Sequence, residues 1–215
     1  QSKGTFLVEV GAGLPFYADE GAKLLHLGAS YSHQFREADR SAARQRYRER
    51  PEAHLAQRFV DTGSAGIAAD GVDLVNASVA GVFGAGSLQS EYTLASVDAS
   101  SGDRPMLWGA YAEGSWFLTG EHREYDKKKG AFTRVKPTRN FDPSKGDWGA
   151  WQIAARYSVL DLDDEAVQGG RMQDATAGLN WYLFPNIRLM ANYIYSDVED
   201  AGHANIYQMR AQIDF

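Results

Sequence analysis

Residues 171–215, RMQDATAGLNWYLFPNIRLMANYIYSDVEDAGHANIYQMRAQIDF, decide the fold. In three consecutive segments the apolar residues fall on odd numbers. Ala175, Ala177, Leu179, Trp181 and Leu183 alternate with Asp174, Thr176, Gly178, Asn180 and Tyr182. Past the tight turn at Pro185 and Asn186, Ile187, Leu189, Ala191, Tyr193 and Tyr195 alternate with Arg188, Met190, Asn192, Ile194 and Ser196. Tyr207, Met209, Ala211, Ile213 and Phe215 then alternate with Gln208, Arg210, Gln212 and Asp214. Period two is the repeat of an extended strand, and faces this different place each strand between an apolar and a polar phase.

Which phase is which sets the class. In a soluble sandwich the apolar face is the core; in a transmembrane barrel it meets lipid while the polar face lines a wet lumen. The polar rows carry Arg188, Asn192, Arg210, Gln212 and Asp214, and aromatics gather near the strand ends as an interfacial girdle does. The terminal Phe215 on a period-two strand resembles the terminal signal of outer-membrane barrels. The reading is an all-β, antiparallel transmembrane barrel forming one domain over residues 1–215.

Working outward, the same alternation recurs. Residues 23–35 put Leu25, Leu27, Ala29, Tyr31 and Phe35 on one face and His26, Gly28, Ser30, Ser32 and Gln34 on the other. Further segments cover 72–83, 87–98, 106–119 and 149–162, and residues 4–14 are a weaker candidate with Phe6, Val8, Val10 and Ala12 in a row. Residues 99–105 and 163–170 read as polar connectors. That makes about nine strands of barrel length. Single-chain bacterial barrels have even strand counts with both termini on the inner side. Either residues 4–14 are not a strand and eight strands close alone, or the chain is the C-terminal part of a larger barrel; the second is the expectation. The start at Gln1, with no initiator Met or apolar leader, fits a processed or truncated product.

Composition narrows the function classes. Aromatics are 12% and glycines number 22, which suits an all-β chain with many turns. No apolar run approaches the roughly 18–20 residues of a transmembrane helix, which leaves barrels open because alternating strands average to a hydrophilic score. With no cysteine there is neither a disulfide framework nor a thiolate metal site. A net charge of −6 argues against nucleic acid as a partner.

Two long connections break the alternation, and long patternless connections inside a domain are usually functional. The first, residues 36–70, contains Arg44, Arg46, Arg48 and Arg50 at every second position. In extended chain that spacing stacks the guanidinium groups on one side, and like charges in a row repel unless anions occupy them. Guanidinium is a planar forked donor that matches phosphate oxygens in pairs, so the row is a candidate series of handover sites. The bland alternative is a solvated loop whose Glu49 and Glu52 absorb part of the charge. The second connection, residues 120–147, holds Lys127, Lys128, Lys129 and Lys136 among other basic residues, and by strand count it leaves the opposite end. Basic clusters at both mouths would concentrate anions, although such loops are commonly just solvated.

A set of motifs resembles the phosphate-selective porin family, O and P type: LLHLGASYS (24–32), RERPE (48–52), VDTG (60–63), GSWFLTGE (114–121), GAFTRVKP (130–137), WGAW (148–151), ARYS (155–158), GLNWYL (178–183) and RLMANY (188–193). They run in order over most of the chain from about residue 24. The resemblance implies a 16-stranded homotrimeric outer-membrane barrel in bacterial lipid, passing phosphate, polyphosphate or similar oxyanions without a cofactor. It also implies an arginine-bearing loop folded into the lumen, matched by Arg44, Arg46, Arg48 and Arg50. A lysine-rich surface toward the periplasm is matched approximately by Lys127, Lys128, Lys129 and Lys136. The departure is length, since about seven leading strands of such a barrel have no counterpart here.

Competing functions find less support in the residues. A barrel enzyme needs a positioned nucleophile and base. Of His26, His33, His54, His122 and His203 only His26 falls on the polar side of a strand, with no serine elbow or paired carboxylates beside it. No His/Asp/Glu spacing suggests a metal site. A small closed structural or binding barrel without conductance, and a soluble sandwich binding module, remain as alternatives with distinct predictions.

Overall fold

The computed structural model describes residues 6–18 (as backbone), 22–35, 44–126 and 128–214. Lys127, Phe215 and residues 36–43 of the first connection lie outside the described residues. Nine long strands carry the fold: β1 (Phe6–Ala18), β2 (Lys23–Phe35), β6 (Ile67–Phe83), β7 (Gly86–Ala99), β8 (Met106–Phe117), β11 (Ala150–Asp164), β12 (Val167–Phe184), β13 (Ile187–Val198) and β14 (Gly202–Ile213). Between them lie two-residue pieces: β3 (Arg44–Gln45), β4 (Arg48–Glu49) and β5 (Val60–Asp61) in the first connection, β9 (Tyr125–Asp126) and β10 (Ala131–Phe132) in the second. The long strands form one antiparallel meander, each paired with its neighbour in sequence, in the order β1-β2-β6-β7-β8-β11-β12-β13-β14.

The sheet is open. Among the described residues no pairing joins β1 to β14, so these nine strands do not close into a barrel by themselves. The alternative in which residues 4–14 are not a strand and eight strands close alone also gives way. β1 is a full strand, pairing with β2 from Phe6 opposite Phe35 to Ala18 opposite Lys23.

The sheet curls. The second connection touches β2 through a hydrogen bond between Tyr125 Oη and His26 Nδ1, and it meets the chain just past β14 through Arg134 and Asp214 at 3.9 Å. Tyr125 and Arg134 flank one tight hairpin, closed by Thr133 N donating to Glu124 O at 2.8 Å. In a flat sheet β2 and β14 would be seven strand spacings apart, about 34 Å at ~4.8 Å each. One hairpin reaches both only because the sheet wraps round it.

The burial pattern inverts that of a soluble protein. In β2 the polar or small residues His26, Gly28, Ser30 and Ser32 are partly covered while Leu25, Leu27, Tyr31 and Phe35 are exposed. In β12, Asp174 is only 2% exposed, while Ala175, Ala177 and Leu179 face outward. In β13, Ile194 and Ser196 are fully buried and Leu189, Tyr193 and Tyr195 are exposed. Trp116 (54%) and Met209 (88%) mark the same outer face on β8 and β14. Soluble monomers rarely expose a contiguous apolar patch above a few hundred Å², and this face runs across every long strand whose side chains are described.

The enclosed face is covered by the two connections. At one end Val60, Ala95, Leu107, Leu162, Met172 and Val198 form an apolar cluster beneath the first connection, with Tyr47, Phe59 and Leu74 packed against it. At the other end Phe117, Val135, Ala150 and Tyr182 form a second cluster beneath the second connection. Between them lies a polar belt.

Two strand limits differ from those read in the sequence. β6 starts at Ile67 rather than 72, because Ala69 and Val72 turn inward under Tyr47 and break the alternation. Residues 163–170 are not a polar connector: β11 runs to Asp164 and β12 starts at Val167, leaving a two-residue turn with Glu165 at φ 52°. Leu160, Leu162 and Met172 supply the inward packing that extends this hairpin.

Candidate anion path along the enclosed face

The arginine row sits where the first connection crosses the wall. Gly66, at φ +63°, brings the chain back so closely that a Cβ there would lie 3.0 Å from Gln45 O. Only glycine takes that conformation freely, and it allows Arg44 and Gln45 to pair with Ala68 and Ile67. Further along, Arg48 and Glu49 pair with Asp61 and Val60. Between these ladders Tyr47 N donates to Thr62 Oγ1 at 3.0 Å, and Thr62 N donates to Tyr47 O at 2.9 Å. The chain here is extended, so alternate side chains point to opposite sides. Tyr47 turns into the apolar cluster, and Arg44, Arg46 and Arg48 are exposed on the other side. Same-side residues in extended chain recur about every 6.7 Å, a step short enough for an anion to touch two guanidinium groups at once.

The three members of the row are not equivalent. Arg46 donates through both Nε (2.8 Å) and Nη2 to the two carboxylate oxygens of Asp61. That pairing holds the Asp61 carboxyl below the usual carboxylate range and raises the Arg46 guanidinium further above its ordinary value. Arg48 forms no ion pair within 4 Å among the described residues, although its charge also helps to lower the Asp61 carboxyl, and among those residues Arg44 reaches the Gly66 carbonyl at 3.4 Å. Arg50 leaves the row: it is partly covered and spends its Nε on the Ala56 carbonyl at 2.8 Å. The carboxylates read in the sequence as charge sinks behave differently from that reading. Glu49 accepts from the Arg50 backbone N–H, and Glu52 turns away to Arg156 of β11.

The second connection enters from the opposite end. Gly149, at φ +68°, has no room for a Cβ, which would meet Tyr182 O at 2.3 Å, so the connection rejoins β11 pressed against β12. Glu121 anchors its start. Burial pushes this carboxyl up, but hydrogen bonds from Thr119 Oγ1 and from Thr138 N (3.0 Å) outweigh that and leave it lowered. The β9–β10 hairpin lies over His26, with Lys128 and Lys129 exposed at its tip. Their backbone N–H groups donate to Asp126, leaving both ammonium groups without a carboxylate partner among the described residues. Lys136 is paired with Glu124 at 3.1 Å. The structure therefore brings Lys128 and Lys129 together at one end and Arg44, Arg46 and Arg48 at the other, while Lys136 is engaged by Glu124 and Arg50 by a backbone carbonyl.

The belt between the ends escaped the sequence reading. Arg156 lies opposite Glu113 in the β11–β8 register and approaches it to 3.5 Å, with its guanidinium 3.7 Å above the Tyr111 ring. Glu113 in turn lies 3.6 Å from Arg123 of the second connection. Arg156 and Glu113 sit opposite the apolar rows of their strands, but Glu52 lies in a patternless connection, and parity does not say which charges meet.

A sheet that exposes its oily row and closes its polar row beneath basic connections is the inverse of a globular core. It defines a class of all-β antiparallel wall proteins built around polar contents. The chain belongs to the phosphate-selective porin O and P family, whose model matches residues 8–215. It is 31% identical over 204 residues to an uncharacterized protein of Caulobacter vibrioides, a match covering 91% of this chain and 40% of that protein. It is 26% identical over 216 residues to Porin O of Pseudomonas aeruginosa, covering 86% of this chain and 47% of that protein. The chain thus spans less than half the length of these two relatives.

Proposed function

We propose that this chain is wall and constriction of a bacterial outer-membrane porin that lets phosphate-type oxyanions, polyphosphate among them, diffuse passively. Its nine strands belong to one domain of a larger, 16-stranded barrel that assembles as a homotrimer, and β1 and β14 pair with strands beyond this set. The apolar outer row meets acyl chains. Trp151 and Trp181, stacked at 4.8 Å, lie with Trp148 and Phe141 at one rim, where aromatic side chains favour the headgroup boundary. Anions pass along the enclosed face, where Arg44, Arg46 and Arg48 bind them, and Lys128 and Lys129 gather them at the other end.

One observation carries this reading: the polar row of the sheet is the covered one and the apolar row is the exposed one. In water that arrangement forfeits about 25 cal/mol for every Å² of apolar surface left exposed, whereas in lipid the same surface is at home. The test is planar-bilayer recording of protein extracted from outer membranes. Anion-selective conductance in chloride, with phosphate blocking at low concentration, is the predicted result. Cation selectivity or absence of conductance would contradict it.

A further inference from the structure

We infer that Glu52 is the positioning residue of the arginine row, a polar dock that ties the first connection to the enclosed face. Its carboxylate receives three donors from two strands: Arg156 Nε at 2.5 Å and Ser158 Oγ at 2.7 Å on Oε1, and Thr176 Oγ1 at 2.8 Å on Oε2. Its backbone is held as well. Glu52 N donates to Asp174 Oδ2 at 3.1 Å, and Gln208 Nε2 of β14 donates to Glu52 O at 3.2 Å. One residue therefore meets β11, β12 and β14, more than 100 positions away in the chain. Its neighbours Pro51 and Ala53 are buried while His54 and Leu55 are exposed, so the connection dips to the wall at this point.

The receptor for Glu52 has contacts of its own. Arg156 is held from the other side by Glu113 and supported by the Tyr111 ring, and Glu113 continues to Arg123 of the second connection. A carboxylate arriving at a fixed guanidinium and two hydroxyls loses little freedom on binding beyond its own, and charge-assisted bonds of this kind are the strong ones. Residues 44–48 lie a few positions upstream of the dock, so Glu52 sets how deep Arg46 and Arg48 reach. Its functional consequence rests on the porin reading; the docking itself does not.

The experiment pairs two readouts. The sequence has no cysteine, so spin labels at Leu55→Cys and Glu199→Cys report the distance between the connection and the wall without background. Heat-modifiable gel migration verifies that each variant is folded. Glu52→Ala is expected to broaden a narrow distance distribution and to raise the half-blocking phosphate concentration about tenfold, the factor that ~1.4 kcal/mol represents. Glu52→Asp, which keeps the charge, is expected to restore most of both. Broadening without a change in phosphate block leaves the docking role standing and removes the arginine row from the anion path. Unchanged distances in Glu52→Ala overturn the inference, whatever the channel conducts.

Discussion

The two long connections fold against the same enclosed face and carry the same sign of charge, yet they hold it differently. In the first, the segment that carries the arginines is fixed: Tyr47 is packed in apolar neighbours, Glu52 is bound by three donors, and of the arginines Arg46 is locked in a two-point pair with Asp61. In the second, Lys128 and Lys129 extend from a hairpin tip that is anchored well behind them, at Glu121 and Val135. A rigid fork suits recognition of a planar pair of oxygens, while a hydrated ammonium on a flexible stem acts as a point charge at a distance. Under the proposed function, the contrast puts selectivity at one end of the path and capture at the other.

The largest effect should come from removing the fixed end. Arg46→Ala combined with Arg48→Ala is expected to weaken phosphate block by at least about tenfold, since each charge-assisted contact contributes ~1.5–3 kcal/mol before solvent screening. Titration of single-channel current with phosphate measures it, and unchanged block would erase the difference between the two connections.

A smaller effect of opposite sign should follow from freeing Arg46. Asp61→Asn is expected to tighten phosphate block by up to about fivefold, the scale of an exposed ion pair. Acid should mimic the substitution. Because the pair with Arg46 depresses the Asp61 carboxyl, the pair is intact above the ordinary carboxylate range and is lost only as pH falls below it. The difference in block between wild type and Asp61→Asn should therefore be constant near neutrality and shrink below about pH 4. A difference that persists at lower pH would show that Asp61 acts by some route other than its charge.

The smallest effect belongs to the capture end. Lys128→Gln with Lys129→Gln is expected to lower anion conductance about twofold in dilute salt and to leave it unchanged in ~1 M salt, where the Debye length falls to about 3 Å. A loss that survives high salt would mean these lysines bind anions directly.

Much of the wall was legible because period two is imprinted residue by residue, and β2, β13 and most of β12 fall where the alternation places them. The exceptions share one cause. Ile67, Ala69, Leu160, Leu162 and Met172 are apolar residues on the enclosed face, wholly or partly buried beneath a connection, and there both phases look oily. The arginine row was legible from spacing, because alternation on an extended chain needs no tertiary information. Its partners were not. Glu52 stands beside the arginines in sequence and looks like their counter-ion, but its guanidinium is Arg156, 104 positions on. Asp61, whose VDTG motif signalled nothing electrostatic, is the residue that neutralises Arg46. Closure could not be read from pattern either, since each strand reports its two faces and says nothing of the neighbour beyond the edge.

The central claim is that the exposed apolar row of the sheet faces lipid. It is tested most directly by single cysteines from 187 to 196 along β13 in protein reconstituted in bilayers, each spin-labelled and challenged with oxygen and with a water-soluble nickel chelate. The account predicts a period of two, with labels at Leu189, Ala191, Tyr193 and Tyr195 relaxed by oxygen and those at Arg188, Asn192 and Ser196 shielded from it. Equal accessibility along the strand, or the opposite phase, would contradict it.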